Sequence, residues 1–215
     1  MNKPNRNIPN IILFGLCGSG KSSIGVSLSQ RLGYGFLDLD DWIEKSEKKS
    51  VLDIFNEKGE KYFRRKEMEA ISAIKSINSH VISLGGGALL GEQNWRVISS
   101  LGISIWINVP PTRISKRLVK NQEELKKRPL LADLLEEELV EIREQKLLKR
   151  LGLQLSSRQE RFAEASIIYS DSYASSDEAA RRIKQLVDDC HYRKNFKRRN
   201  TKDKLRNKET RQEGP

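Results

Sequence analysis

The chain has 215 residues and a formal net charge of +11, long enough for one domain with a sizeable core. Two cysteines, Cys17 and Cys190, and two histidines, His80 and His191, exclude a disulfide framework and a zinc site of the usual spacing. No apolar run approaches the roughly 20 residues of a membrane span, and the polar N-terminus, residues 1–9, has no signal-peptide core, so a cytoplasmic protein with no membrane partner is expected. In chain order, an apolar run at 11–14 reads as a strand buried on both faces. A glycine-rich stretch follows, then a helix to about Leu32, with Ile24, Leu28 and Leu32 spaced by four and Gly33 just past its end. Residues 35–39 read as a second strand that leads into Asp38 and Asp40. The spacing predicts helices over 42–47 with Asp41 as its cap, over 51–58 behind Ser50, and over 60–77. A third strand at 81–84 ends in Gly85-Gly86-Gly87. A helix near 93–100 leads to a fourth strand at 103–109, and Pro111 suits the first turn of a helix to about Val119. Residues 120–135 are polar and charged and read as a mobile lid. Helices over 136–151 and 156–165, separated by Gly152, a strand at 167–169 and a helix over 177–189 complete a domain set at 10–192.

Beyond it, residues 193–215 hold ten Lys/Arg against three Asp/Glu, with Phe196 and Leu205 the large apolar residues. Such a tail cannot bury enough apolar surface to offset its ordering entropy, so disorder is expected. It is either a solvated extension or an electrostatic attachment to nucleic acid or an anionic surface. Its single aromatic speaks against a nucleic-acid partner.

Strands alternating with helices predict an α/β fold of three layers, a central five-stranded parallel sheet with helices on both faces. Ligands of such sheets bind at the carboxyl ends of the strands. Segments 15–22, 38–41 and 85–87 all fall at that edge.

Gly15-Leu16-Cys17-Gly18-Ser19-Gly20-Lys21-Ser22 fits G-x-x-x-x-G-K-[ST] between a strand and a helix. Backbone N–H groups of such a loop face one anion, and the following helix adds its positive end. Lys21 is expected to reach the β- and γ-phosphates, and the Ser22 hydroxyl to ligate Mg²⁺. The pattern gives a nucleoside triphosphate but not its use. No N-K-x-D for guanine is present, and a small-molecule kinase is favoured over a GTPase.

The order of motifs resembles the shikimate kinase family. They are the loop, Asp38-Leu39-Asp40, the stretch from Ser50 through Gly59-Glu60, Phe63-Arg64 and Glu67, Gly85-Gly86-Gly87, Arg128-Pro129-Leu130-Leu131, and Arg158. The resemblance spans about residues 10–190 and implies transfer of the ATP γ-phosphoryl group to the 3-hydroxyl of shikimate, a small ring acid. It implies ATP and Mg²⁺ as cofactors, with a monomer expected. Gly18, Ser19, Gly20, Lys21, Ser22 and Ser23 would hold the nucleotide, joined by Arg117 against adenine and Arg128 on the transferring group. Ser22, and Asp38 through water, would hold the metal. Arg64, Arg158 and Gly85, Gly86 and Gly87 would bind the acceptor, Asp40 would orient the attacking hydroxyl, and Lys21, Asp40 and Arg128 form the catalytic set. The residue chemistry is consistent: guanidinium groups pair with a carboxylate in bidentate fashion, and Glu67, three residues after Arg64, can hold that guanidinium in place. Phe162 stands where the family often has tyrosine, and 171–177 lacks a proline that often packs on adenine. A related sugar-acid kinase and a non-catalytic ATP-binding protein are the alternatives.

Overall fold

The structure is a computed structural model that describes residues 9–88, 91–170 and 175–190. The N-terminal residues 1–8 and the basic tail lie outside the described residues, so the expectation of a disordered tail is not addressed.

The elements run β1 (Asn10–Phe14), α1 (Lys21–Leu32), β2 (Gly35–Asp38), α2 (Leu39–Glu47), α3 (Val51–Ala73), β3 (His80–Ser83), α4 (Glu92–Leu101), β4 (Gly102–Ile107), α5 (Pro111–Val119), α6 (Gln122–Lys126), α7 (Pro129–Ala132), α8 (Val140–Ser156), α9 (Gln159–Ala163) and β5 (Ile167–Tyr169). A last helix, α10, covers 176–190. The sheet has five parallel strands in the order β2-β3-β1-β4-β5.

Successive side chains of a strand point to opposite faces, and β1 is apolar on both. Ile11 and Leu13 enter a core with Ile24, Leu28, Ile105, Leu118 and Leu147, while Ile12 and Phe14 enter another with Ile43, Ile54, Phe63, Ile82 and Trp95. Two cores on one sheet are what a three-layer fold requires. Because every strand is parallel, the ends of β1, β2 and β3 share one edge. In β3, Ser83 pairs in register with Leu13 of β1 and Asp38 of β2, which brings the three loaded segments side by side.

Three expectations are corrected. Helix α2 begins at Leu39 rather than at residue 42, because Asp38 is its cap and accepts from the amide of Asp40; Asp41 lies in its first turn. Asp40 is therefore helical, not on a strand face with Asp38. The long helix yields at its end to a 3₁₀ turn over Ile74–Ser76. Gly152 interrupts no helix, since α8 runs through it to Ser156. The segment 120–135, read as a lid, forms α6, α7 and the start of a 3₁₀ turn, Asp133–Glu136, with Leu125, Leu131 and Leu134 buried.

Candidate active site

The loop after β1 owes its path to glycine. Gly18 and Gly20 have φ of 74° and 91°, a left-handed conformation that costs other residues energy. A Cβ at Gly18 would also come within 2.9 Å of Leu118, so α5 packs directly against the loop. The Lys21 ammonium is buried and donates to the carbonyls of Gly15 at 3.2 Å and Leu16 at 2.9 Å. Burial lowers its pKa against the pull of Asp40 and Asp38. Ser19 is buried, and Ser22 and Ser23 are exposed in the first turn of α1. Ser22 Oγ donates to Asp38 Oδ2 at 2.6 Å.

Asp40, Glu67 and the glycines at 85–87 form the neighbouring half. Asp40 Oδ1 and Glu67 Oε1 are buried and have no hydrogen-bond partner among the described residues. Both oxygens crowd Gly85, where an added Cβ would lie 2.5 Å from the first and 3.0 Å from the second. Burial, with the negative charges of Asp38 and Glu67, pushes the Asp40 carboxyl up to about 7 despite Lys21 and Arg64. Burial likewise raises Glu67, outweighing Arg64 and Arg158.

Arg64 lies over Gly87, so closely that a Cβ there would collide with the guanidinium. Its Nη1 donates to Glu67 Oε2 at 2.6 Å, while Nε and Nη2 donate to Glu60 Oε1 at 3.1 and 2.8 Å. Burial works against its charge, but the two carboxylates prevail and keep it charged. Arg158 caps α9, and its Nη1 donates to the Gly86 carbonyl at 2.7 Å. Its Nε is buried without a partner among the described residues, and burial depresses its pKa. Cys17 stands between the halves, with its amide nitrogen 3.5 Å from where a Gly86 Cβ would be. Burial raises its thiol pKa, against the cations Lys21, Arg128 and Arg158.

Arg128, the residue before α7, donates to the carbonyl and the carboxylate of Glu124, and its charge reaches Lys21 and Cys17. Arg117 is exposed on α5, the helix that packs on the loop. Most of the sequence-predicted residues thus gather at one edge, while Ser23 and Arg117 are exposed on α1 and α5.

The sequence profile of the family described as Shikimate kinase matches residues 17–188. The chain belongs to the shikimate kinase family. A shikimate kinase of Clostridium botulinum (strain 657 / Type Ba4) is 42% identical over 122 residues, covering 57% of this chain and 71% of that protein. One from Thermosynechococcus vestitus is 35% identical over 158 residues, 74% of this chain and 78% of its own length. Among solved structures, shikimate kinase from Acinetobacter baumannii in complex with shikimate is 28% identical, has a TM-score of 0.73, and covers 84% of this chain and 93% of its own.

Two residues of the site were not assigned a role by sequence reasoning. Glu60 completes the cradle of Arg64, and Glu124 holds Arg128; both stand four residues before their arginine, a spacing legible on a helix. Cys17 carried no such signal, because its approach to Gly86 depends on two loops meeting.

Proposed function

We propose that the chain is an ATP-dependent shikimate kinase that transfers the γ-phosphoryl group to the 3-hydroxyl of shikimate, giving shikimate 3-phosphate and ADP. One observation carries the reading: two buried carboxylate oxygens, on Asp40 and Glu67, crowd the glycine turn without partners among the described residues, and Arg158, whose Nη1 holds the Gly86 carbonyl, keeps a buried Nε without one. Unpaired buried polar groups are costly, on the order of 1–3 kcal/mol each. A polyhydroxy acid supplies what they lack, hydroxyl donors for the carboxylates and a carboxylate for the guanidinium. Arg64 and Arg158 take the acid group, and Glu67 and the glycines the ring hydroxyls.

Asp40 orients the attacking hydroxyl and accepts its proton at Oδ1. Lys21 exchanges its loop carbonyls for phosphate oxygens, and the amides of Gly18, Ser19 and Gly20 cradle the same charge. Arg128 leaves Glu124 to cover the transferring group, and closure of the segment around it excludes water. Arg117 and Ser23 flank the nucleotide.

The donor set suits Mg²⁺, which keeps several waters and needs few protein oxygens. Ser22 Oγ and Asp38, the latter through water, would hold it, and their 2.6 Å contact already places the two oxygens together. When bound it neutralises charge on the phosphate oxygens. The reading is of a cytoplasmic monomer without a nucleic-acid partner; no helix of the described residues is long and apolar enough to cross a membrane.

The test is ADP release with Mg-ATP alone, with shikimate and with gluconate. Shikimate should raise turnover at least a hundredfold and gluconate should not. Turnover that ignores shikimate, or prefers gluconate, ends the reading.

A further inference from the structure

A polar cluster outside the site joins the two helices that build it. Tyr62 Oη donates to Glu47 Oε2 at 2.7 Å. Lys58 Nζ donates to Tyr62 Oη at 2.9 Å and to Glu47 Oε2 at 3.1 Å. Lys66 Nζ pairs with Glu47 Oε1 at 3.1 Å. Both oxygens of Glu47 are therefore engaged, and its side chain is only 10% exposed. The tyrosine ring is itself flanked by cations, the Lys58 ammonium 4.2 Å and the Arg65 guanidinium 4.8 Å from its centroid.

The cluster straddles a weak point. Gly59 has φ 78° and ψ 171°, breaking α3 between Lys58 and Tyr62. Nothing lies within 4 Å of where its Cβ would be, and the rings of Phe55 and Phe63, 4.9 Å apart, pack across the break alongside the polar cluster. The second half carries Arg64 and Glu67. Helix α2 carries Asp40 in its first turn and Glu47 as its last residue. A hydrogen-bonded carboxylate at the end of one helix thus grips the turn of the other that precedes Arg64. An isolated exposed ion pair would do little, but a shared, largely buried carboxylate with three donors is a connected network.

We infer that Glu47 and Tyr62 are positioning residues for the acceptor: their hydrogen bond fixes the helix bearing Arg64 and Glu67 against the helix bearing Asp40, and so sets the affinity for the shikimate carboxylate without touching it. The inference rests on the acceptor reading above.

Tyr62→Phe removes the hydroxyl and keeps the ring with its flanking cations. It should raise the KM for shikimate about tenfold, with kcat and the KM for ATP within twofold of the parent. Combined with Arg64→Lys, its effect on that KM should shrink, because Tyr62 acts through Arg64. Amide hydrogen exchange over 60–73 should quicken in Tyr62→Phe. An unchanged KM for shikimate, or parallel losses in both KM values and Tm, overturns the positioning role. Should the parent fail to turn over shikimate while exchange quickens, the acceptor reading falls and the link between helices stands; unchanged exchange refutes the link itself.

Discussion

Asp40 combines a buried oxygen, two carboxylate neighbours and a carboxyl pushed up to about 7, so its chemistry is sensitive to pH near neutrality. As a base it must be deprotonated. The value of kcat/KM should therefore fall about tenfold per unit as pH drops below about 7, and that limb should vanish in Asp40→Asn, whose kcat falls by about 10²–10⁴. The stability effect has the opposite sense. The folded value lies above the ordinary 3.8, so the native state binds the proton more tightly and stability falls as pH rises from about 4 to 7. Asp40→Asn should thus melt above the parent at pH 8 while being nearly inactive, measurable by calorimetry beside a turnover assay. Gly87→Ala makes a different point. The new methyl displaces the tip of a flexible Arg64 side chain rather than backbone, so the KM for shikimate should rise more than tenfold with Tm almost unmoved. The residues at this scale were legible because each has a chemical type tied to a motif position. What stayed hidden was the second duty of Asp38, which both caps α2 and receives the Ser22 hydroxyl.

At the scale of elements, the break at Gly59 is unusual backbone within the helix that bears Arg64 and Glu67. Its φ and ψ fall in a region that glycine alone occupies cheaply. Gly59→Ala meets no steric neighbour, so its cost is conformational, about 1–3 kcal/mol, and should appear as a lowered Tm in thermal melts together with a raised KM for shikimate. Strand positions were readable from short apolar runs and their glycine or proline ends, to within a residue or two. Helix limits were less so. Asp38, Asp40 and Asp41 are all acceptable caps by type, and only the path of the chain out of β2 selects the first. Gly152 looked like a stop, yet it keeps helical geometry because Leu147 and Leu151 are already buried on one side and the turn beyond simply continues. In the 120–135 segment the charges gave no helical period, so its two short helices were not legible, although Leu125, Leu131 and Leu134 are buried.

Across the whole molecule, alternation of strands and helices foretold the parallel sheet, and parallelism alone places the phosphate loop, Asp38 and the glycine turn on one edge. The strand order was not foretold, since it depends on which crossover each helix makes. The site and both cores lie within 10–190. Removing residues 193–215 should therefore leave kcat and both KM values within twofold, as steady-state kinetics would show. The two ends of the edge also communicate. Asp38 turns Oδ2 to Ser22 beside the lysine loop and Oδ1 to the amide of Asp40 on the acceptor helix. A nucleotide that drew the serine hydroxyl away would change the hold on that first helical turn, so the two co-substrates meet through a single anion. Thermodynamic reciprocity then requires that the factor by which either partner alters the other's dissociation constant be the same in both directions.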